Sequence, residues 1–384
     1  MTSFEFTTTR SIINEPGAVK RLGDICNRMG FSRPLVVTDP GIVNAGLLDK
    51  LTSSLDASGT DYALYTEIVA DPPVETIMAA LEAAKAHGAD GIVGFGGGSS
   101  MDAAKLVALI AKSGEKLEDI YGVGMAKGDR LPLILIPTTA GTGSEVTAVA
   151  IVTTGPNTKS GVVAPQLFPD VALLDAELTL GLPALVTAAT GVDAMVHAIE
   201  AYTSLIQKNP YSDMLAQKAL QLLSKNLKPV IADGSNLEAR QHMLFGACLA
   251  GQAFANAPVA AVHALAYPLG ARYHIAHGTS NALLLPHVLR FNTPAAAGMY
   301  AELAPICFDN VPGGSDEDVS YWFCDQLEQL SLDAGLPPRM RDAGVLANDL
   351  TLLAEESMGQ TRLLKNNPRP VTQDDAFAIY EAAY

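Results

Sequence analysis

Two segments of the chain combine carboxylate and imidazole side chains in a spacing that suits a metal ion. Asp193 and His197 stand at positions i and i+4, so on a helix both side chains point the same way. His263 and His277 follow later, and His263 lies within a stretch, 241–271, that contains no Asp, Glu, Lys or Arg. Brought together in an apolar setting, three neutral imidazoles and one carboxylate would form a site for a divalent transition metal.

A purely structural interpretation of these residues competes with the metal site. An Asp and a His one helical turn apart often form a cap or a surface pair, and a single histidine is more often structural than a ligand. However, four of the seven histidines lie between residues 263 and 287. A buried imidazole such as that of His263 also needs a partner for each ring nitrogen, which a metal would supply. Spacing alone leaves both interpretations open.

A glycine-rich turn in the first half of the chain is typical of an anion-binding loop. Gly96, Gly97, Gly98 and Ser99 lie between an apolar run and a helical stretch that contains Asp102. Glycine lets the backbone approach a ligand closely, and the following helix offers free N–H groups and the positive end of its dipole. A pyrophosphate is the natural occupant, although such turns also occur without a ligand.

Other polar residues end the predicted strands on the same edge of the sheet. Asp39 could accept hydrogen bonds from the adenosine ribose and repel a 2′-phosphate, or it could be only a turn residue before Pro40. The loop that contains Thr138, Thr139 and Thr142 could bind the same cofactor through its hydroxyl groups. Because the first strand is not followed by G-x-G-x-x-G, we expect the phosphates of a dinucleotide on the later glycine loop.

The pattern of apolar residues changes near residue 180 and predicts two domains. Residues 1–180 alternate strand and helix signals, which indicates a doubly wound, mostly parallel α/β domain that binds a dinucleotide. Residues 181–384 are rich in Ala and Leu and predict an all-α domain that carries the metal site. Strands are predicted over 34–39, 61–69, 91–95, 131–136, 146–154 and 171–174, and helices over 46–57, 74–87, 101–112, 183–204, 212–226, 237–255 and 259–269.

Composition excludes several classes of partner. A formal net charge of −16 without a basic cluster argues against nucleic acid and against an anionic membrane surface. The four cysteines are scattered, and the N-terminus has no signal-peptide pattern, so we expect a cytoplasmic protein with reduced thiols. The stretch 241–271 is long enough to span a bilayer, but Gln252, Asn256, Pro258 and Pro268 favour a pair of core helices, so we predict no membrane span.

Together these motifs resemble the iron-containing (group III) alcohol dehydrogenase family, within the dehydroquinate-synthase-like superfold. The resemblance runs from Asn14 to Thr372. It depends on specific motifs: the glycine loop with Asp102 and Lys105, the block Thr138–Thr147, the segment Ala189–Ala194, and the histidine-containing segment His263–His287.

The resemblance implies an NAD-dependent alcohol dehydrogenase that is a homodimer. It would transfer a hydride between a small primary alcohol, or its aldehyde, and NAD(H). Asp39 would favour NAD over NADP, and Phe254 would line the alcohol pocket. The implied ligands of Fe²⁺, or of Zn²⁺ in some relatives, are Asp193, His197, His263 and His277. The implied cofactor contacts are Gly97, Gly98, Ser99, Thr138, Thr139, Thr147 and Lys159.

One position departs from the pattern of the family. Many alcohol-oxidising members carry a second histidine four residues after the third ligand, and this chain has Tyr267 there. A tyrosine hydroxyl can still relay a proton, but with a reference pKa of about 10 it is a poor base near neutrality. An alternative function is an NAD- and metal-using lyase of the dehydroquinate synthase type. Such a lyase needs Lys and Arg for its anionic substrate, and the metal motifs are almost devoid of them.

Overall fold

In a computed structural model of the protein, which describes residues 3–155 and 158–384, the apolar runs of the first half form a parallel sheet. This sheet belongs to a compact unit of residues 8–181. The strands of the described part are β1 (Ser11–Asn14), β2 (Pro34–Val37), β3 (Ala63–Tyr65), β4 (Gly91–Gly96), β5 (Gly122–Val123), β6 (Leu133–Pro137), β7 (Val149–Gly155), β8 (Thr158–Val163) and β9 (Val171–Leu174).

The main sheet has the strand order β1-β9-β6-β4-β2-β3, and each neighbouring pair is parallel. Strands β2, β4, β6 and β9 are buried along their whole length. Alternate residues of β6 point to opposite faces: Leu133 and Leu135 join one hydrophobic core, and Ile134 and Ile136 join the other. A sheet covered on both faces confirms the predicted doubly wound α/β fold.

Helices of this unit are α1 (Leu22–Met29), α2 (Pro40–Asn44), α3 (Leu48–Ala57), α4 (Val74–His87) and α5 (Gly98–Ser113). Helix α4 ends as the sequence predicts, because Gly88 adopts a left-handed conformation with φ of 67°. Helix α5 begins at Gly98, before the predicted start at Met101, so the glycine loop itself forms the first turn of the helix.

The small sheet of this unit, with strand order β5-β8-β7, was not predicted. Strand β7 also begins at Val149 and not at Val146, because Ser144–Val146 forms a 3₁₀ turn. The predicted strand over 61–69 is shorter, with only Ala63–Tyr65 paired to β2. The edge strand β1 was missed because its burial is partial and its apolar run is short.

The second unit comprises residues 182–384 together with residues 3–7. Its described residues contain no strand, which confirms the predicted all-helical second half. Asn256 holds the N-terminal segment in this unit: it accepts a hydrogen bond from Thr7 N (2.8 Å) and donates one to Thr7 O (2.9 Å). The helices are α6 (Ala184–Thr203), α7 (Pro210–Ala232), α8 (Leu237–Asn256), α9 (Ala261–Tyr273), α10 (His277–Cys307), α11 (Asp316–Asp333), α12 (Leu350–Ser357), α13 (Thr361–Leu364) and α14 (Gln373–Ala383).

Among the described helices, α6 alone is long and apolar enough to cross a membrane. Its most apolar window is 78% buried inside the protein. Helices α8 and α9 meet the same criteria only as a pair, and they are bent by 107° at their junction. A helix that is apolar on all sides and covered by its neighbours is typical of a domain core.

Candidate metal and cofactor sites

Helix α6 carries a stripe of buried polar side chains through an otherwise apolar core. Asp193, His197 and Glu200 are each less than 5% exposed. Their spacing of four and three residues places them on one face of the helix. A buried carboxylate or imidazole is costly without partners, so this face must meet complementary groups on its neighbours.

Those groups come from the two ends of a short link. His263 lies in the first turn of α9, and His277 is the first residue of α10. His274 ends α9 in a left-handed conformation with φ of 53°, so that only residues 274–276 separate the two helices. The histidine-rich segment of the sequence is therefore a tight helix-to-helix connection.

The structure brings the four predicted metal ligands together. One donor atom from each of Asp193, His197, His263 and His277 lies within 4.8 Å of all the others. The imidazole rings of His197 and His263 stack with centroids 4.7 Å apart. Three of the residues are buried, whereas the His277 side chain is 42% exposed. One side of the cluster is therefore open, as a catalytic metal site requires.

Electrostatics at the cluster favour an ionised carboxylate. Burial, the largest single influence, would raise the pKa of Asp193, but the attraction of the three histidines and a hydrogen bond from Asn281 together hold it below its usual value. One carboxylate with three imidazoles suits a borderline divalent cation. The four residues of the cluster therefore fit a metal ion, both because their donor atoms converge and because these atoms are of the right chemical type.

Two residues that support the cluster were missed by the sequence analysis. Glu200 lies with Oε2 2.6 Å from His263 Nδ1. Asn281 donates from Nδ2 to Asp193 Oδ1 (2.6 Å), and the same nitrogen lies 3.3 Å from Nε2 of both His263 and His277. The available signal was spacing, since Glu200 follows His197 by three residues and Asn281 follows His277 by four.

Gly278 permits the close approach of α10 to α6. A Cβ atom at this position would lie 2.3 Å from Ala189 O and 3.2 Å from Asp193 Cβ. Any side chain here would push the start of α10, and with it His277, away from the carboxylate. The glycine after His277 is therefore required by packing.

Two aromatic residues lie beside the cluster. The Phe254 ring stacks on His197 with centroids 4.4 Å apart and an interplanar angle of 21°. Tyr267 lies one turn beyond His263 on α9, with its ring centroid 6.1 Å from that of His277. Phe254 thus provides apolar surface next to one histidine, and Tyr267 lies near the exposed one.

The glycine loop of the α/β unit is tightly packed at its ends and open in its middle. Gly96 has φ of 147°, and a Cβ atom there would lie 2.8 Å from Ser100 Oγ and 2.9 Å from Asp39 Oδ2. A Cβ on Gly98 would lie 2.9 Å from Thr142 Cγ2. At Gly97 the nearest atom to a Cβ would be 3.8 Å away, on Thr139. The backbone at Gly97 and the first N–H groups of α5 therefore form a cradle suited to an anion.

Asp39 has the local structural role that the sequence allowed, and its binding of the cofactor ribose stays a prediction. Its Oδ1 accepts a hydrogen bond from Ile42 N (3.1 Å) and caps helix α2. Its Oδ2 accepts one from Ser100 Oγ (2.8 Å) on α5. The residue is therefore a helix cap, and it also holds a negative charge beside the glycine loop.

Asp102 lies on the inner side of α5 and makes contacts within the protein. Its carboxylate accepts hydrogen bonds from Ser144 Oγ (2.6 Å) and Ile151 N (3.0 Å), and it lies 3.4 Å from the fully buried Lys105 Nζ. Lys105 donates in turn to Thr147 Oγ1 (3.1 Å). Burial lowers the pKa of Lys105 against the opposing pull of Asp102. This arrangement gives Asp102 and Thr147 a role in positioning the threonine-rich loop.

The remaining predicted cofactor residues surround the same loop. Lys159 on β8 forms an ion pair with Asp71 (2.6 Å), and Ser99 Oγ accepts a hydrogen bond from Asp71 N (3.3 Å). Thr138 is buried, and its N–H donates to Gly96 O (3.0 Å). The structure thus links Lys159 and Ser99 through one aspartate, since Lys159 pairs with its carboxylate and Ser99 accepts from its backbone N–H.

A doubly wound sheet with a glycine-rich helix start, followed in the chain by a helical unit with a carboxylate–imidazole cluster, is the arrangement expected of a metal- and nicotinamide-dependent enzyme. Family profiles agree with this class. The profile for iron-containing alcohol dehydrogenase matches residues 9–176, and the profile for the C-terminal part of the Fe-containing alcohol dehydrogenase family matches residues 187–384. The chain belongs to the iron-containing alcohol dehydrogenase family, which confirms the predicted resemblance and makes the protein an alcohol dehydrogenase.

Individual relatives cover all or nearly all of the chain. Long-chain-alcohol dehydrogenase 1 of Geobacillus thermodenitrificans is 41% identical over 96% of this chain and 93% of its own length. The crystal structure of a 1,3-propanediol oxidoreductase superposes with a TM-score of 0.96 at 34% identity and covers 100% of both chains. Sulfoacetaldehyde reductase from Bifidobacterium kashiwanohense, solved in complex with NAD⁺, has a TM-score of 0.89 at 30% identity and covers 100% of this chain and 99% of that one.

Replacing Gly278 with alanine should weaken metal binding by about 10- to 100-fold, since the added Cβ would displace His277 from Asp193. The measurement is a titration of metal-depleted protein with Zn²⁺. Gly298→Ala on the same helix is the control, because its Cβ would meet its nearest neighbour at an ordinary 3.5 Å. Equal affinities for Gly278→Ala and the unmodified protein would show that this close approach does not set the position of His277.

Proposed function

We propose that this alcohol dehydrogenase binds a divalent metal through Asp193, His197, His263 and His277 and uses NAD(H) to interconvert a small primary alcohol and its aldehyde. The observation that carries the proposal is the convergence of four donor atoms within 4.8 Å in the core of the helical unit. Fe²⁺ is the proposed metal because of the family to which the chain belongs, and Zn²⁺ is the alternative that the same donor set accepts.

Each residue of the cluster has a distinct part in the proposed chemistry. Bound there, a divalent cation supplies Lewis-acid stabilisation of charge on the substrate oxygen, an effect of several kcal/mol. Asp193 contributes the one negative charge of the ligand set, and the half-exposed His277 marks the side from which substrate enters. The ring of Phe254, stacked on His197, excludes water from one side and favours an apolar substrate carbon.

NAD(H) is the cofactor that the α/β unit suits best. The cradle at Gly97 and the start of α5 would hold the pyrophosphate, with Ser99, Thr138, Thr139, Thr142 and Lys159 around it. The carboxylate of Asp39 would accept hydrogen bonds from the ribose hydroxyls and repel a 2′-phosphate. The NAD⁺ complex of the sulfoacetaldehyde reductase supports this assignment.

A small alcohol or aldehyde is the proposed substrate. The relatives named above act on a long-chain alcohol, on 1,3-propanediol and on sulfoacetaldehyde. Of these compounds, 1,3-propanediol and sulfoacetaldehyde are small molecules with a terminal alcohol or aldehyde carbon. The lyase alternative is not favoured by these relatives.

We also propose that the protein is cytoplasmic and acts as a homodimer. Its four cysteines are all free and buried, as expected for a reducing compartment. Burial raises the pKa of the Cys26, Cys307 and Cys324 thiols to about 12, so they are poor nucleophiles and weak targets of oxidation. The dimer is proposed from the family resemblance, and light scattering after size-exclusion chromatography measures it directly.

Removing a metal ligand should abolish catalysis. His277→Ala, prepared and reconstituted without oxygen, should lose more than about 100-fold in NADH formation from short primary alcohols and should lose its bound metal, because removing a ligand costs more than removing a supporting residue. The control is His242→Ala, whose imidazole contacts Asn226 and lies outside the cluster. Full activity in a metal-free His277→Ala enzyme would refute the proposed function.

Neutralising Asp39 should shift the preference between the two cofactors. Asp39→Asn keeps a side chain able to cap α2 but removes the negative charge, so kcat/KM for NADP relative to NAD should rise roughly five- to tenfold. Thermal unfolding should show a nearly unchanged midpoint. A constant cofactor ratio would mean that Asp39 acts only as a cap.

Tyr267→Phe tests the proton route. We expect kcat to fall by less than about tenfold, since water can replace a hydroxyl that is a weak base near neutrality. The comparison is made with the same alcohols and metal loading as for His277→Ala. A loss as deep as that caused by removing a ligand would make the Tyr267 hydroxyl essential.

A further inference from the structure

Glu200 is a buried carboxylate that the proposed chemistry does not yet use. It lies on α6 and is 3% exposed. Its Oε2 lies 2.6 Å from His263 Nδ1, and its Oε1 accepts a hydrogen bond from Val262 N at 2.7 Å. Each carboxylate oxygen therefore contacts a different group at the start of α9.

The contact with the ring determines which nitrogen of His263 carries a proton. An ionised carboxylate can only accept hydrogen bonds, so the nitrogen that faces Glu200, Nδ1, must be the N–H donor. On the opposite side of the ring, Nε2 lies 3.3 Å from Asn281 Nδ2. The orientation of the Asn281 amide is set by Asp193 Oδ1, a carboxylate oxygen that needs a donor and lies 2.6 Å from Asn281 Nδ2. The Glu200 side of the ring thus requires the Nδ1–H tautomer, and the Asn281 side, which presents an N–H donor, is compatible with a lone pair on Nε2.

The contact with the backbone positions the helix that carries the ring. Val262 N belongs to the first turn of α9, where backbone N–H groups have no acceptor within the helix. The residue at the N-cap, Ala260, provides no side-chain acceptor. Glu200 supplies that acceptor from α6 and places its negative charge at the positive end of the helix dipole. The Glu200 side chain therefore orients both the start of the α9 backbone and the imidazole ring of His263.

We propose that Glu200 is a positioning residue that holds His263 as the Nδ1–H tautomer and aims its Nε2 lone pair at the metal. This inference rests on the proposed function, because it presupposes that His263 is a ligand. A carboxylate behind a ligating imidazole also makes the imidazole a stronger donor. Two charge-assisted hydrogen bonds and the helix dipole offset the cost of burying this charge.

Glu200→Gln separates this role from simple packing, because glutamine has nearly the same shape. Its single carbonyl oxygen can serve either Val262 N or His263 Nδ1–H, and its NH₂ group must face the other. If the oxygen stays on Val262, the amide donates to Nδ1 and drives the proton of His263 to Nε2. If the amide turns, the cap of α9 loses its acceptor. In either case the Nε2 lone pair of His263 is less well directed at the metal.

The experiment measures metal affinity and tautomer independently of catalysis. Metal-depleted proteins are titrated with Zn²⁺ against a chelator, and long-range ¹H–¹⁵N spectra report which ring nitrogen of His263 is protonated. The His263 signals are identified by their loss in His263→Ala. For Glu200→Gln we expect about 10- to 100-fold weaker Zn²⁺ binding and loss of the pure Nδ1–H tautomer. Glu200→Asp, which keeps the carboxylate but shortens its reach, should bind with intermediate affinity.

Glu302→Gln is the control for exchanging a carboxylate for an amide. Glu302 lies on α10 and contacts the Tyr202 hydroxyl at 2.5 Å, outside the cluster. This variant should bind Zn²⁺ like the unmodified protein and retain the His263 tautomer. A loss of affinity equal to that of Glu200→Gln would overturn the inference, since any carboxylate change in this unit would then have the same effect.

The outcomes distinguish the inference from the function on which it rests. Failure of the unmodified protein to bind Zn²⁺ or Fe²⁺ would overturn the proposed function together with the inference. Tight binding by both the unmodified protein and Glu200→Gln would overturn the inference alone. Should Glu200→Gln fail to fold, the spectrum of the unmodified metal-depleted protein still decides, because a His263 proton on Nε2 contradicts the proposed role.

Discussion

The helical unit depends on one electrostatic constraint: the Asp193 carboxylate is buried, and its charge must be balanced by groups from other helices. The three histidines and Asn281 provide that balance, and the pKa of Asp193 stays low despite burial. Helices α6, α9 and α10 must therefore meet at one point with little freedom in their relative positions. Three features hold these helices together at that point: the absence of a side chain at Gly278, the short link 274–276 and the two contacts of Glu200.

The α/β unit meets a corresponding requirement with buried polar groups that support a loop. Lys105 on α5 is fully buried and forms an ion pair with Asp102. Through these two residues, α5 is bonded to Ser144, Thr147 and the start of β7. Helix α5 is the helix whose N-terminus is proposed to bind the pyrophosphate, so the same helix would bind the anion and position the polar loop that follows β6. Rigid support of this kind keeps a cofactor site preorganised.

The sequence was sufficient to predict an element wherever its residue types are compatible with only one structural role. Central strands such as β6 were predictable because a parallel strand buried on both faces is apolar throughout. The four cluster residues could be singled out because polar groups stand out in an apolar stretch, but spacing left their role open and only the family resemblance implied that they are ligands. Glu200 and Asn281 were not predicted, because their roles depend on contacts across 62 and 88 residues of chain that only the packing of helices creates. For Asp102, the sequence showed that the residue belongs to the glycine-loop motif. It did not show that the carboxylate turns inward and accepts hydrogen bonds from the protein itself.

The proposed role of Asp39 in choosing the dinucleotide is tied to its contacts within the protein, and these contacts restrict how that preference could change during evolution. The carboxylate accepts hydrogen bonds from Ile42 N and Ser100 Oγ while filling the space left by Gly96. A direct exchange of Asp39 for arginine or lysine, the simplest route to a phosphate-binding cation, would leave the start of α2 uncapped and the serine hydroxyl without its acceptor. A descendant of this chain that prefers the phosphorylated dinucleotide would therefore have to alter position 39 and its structural neighbours together, or recruit its cation from a different loop.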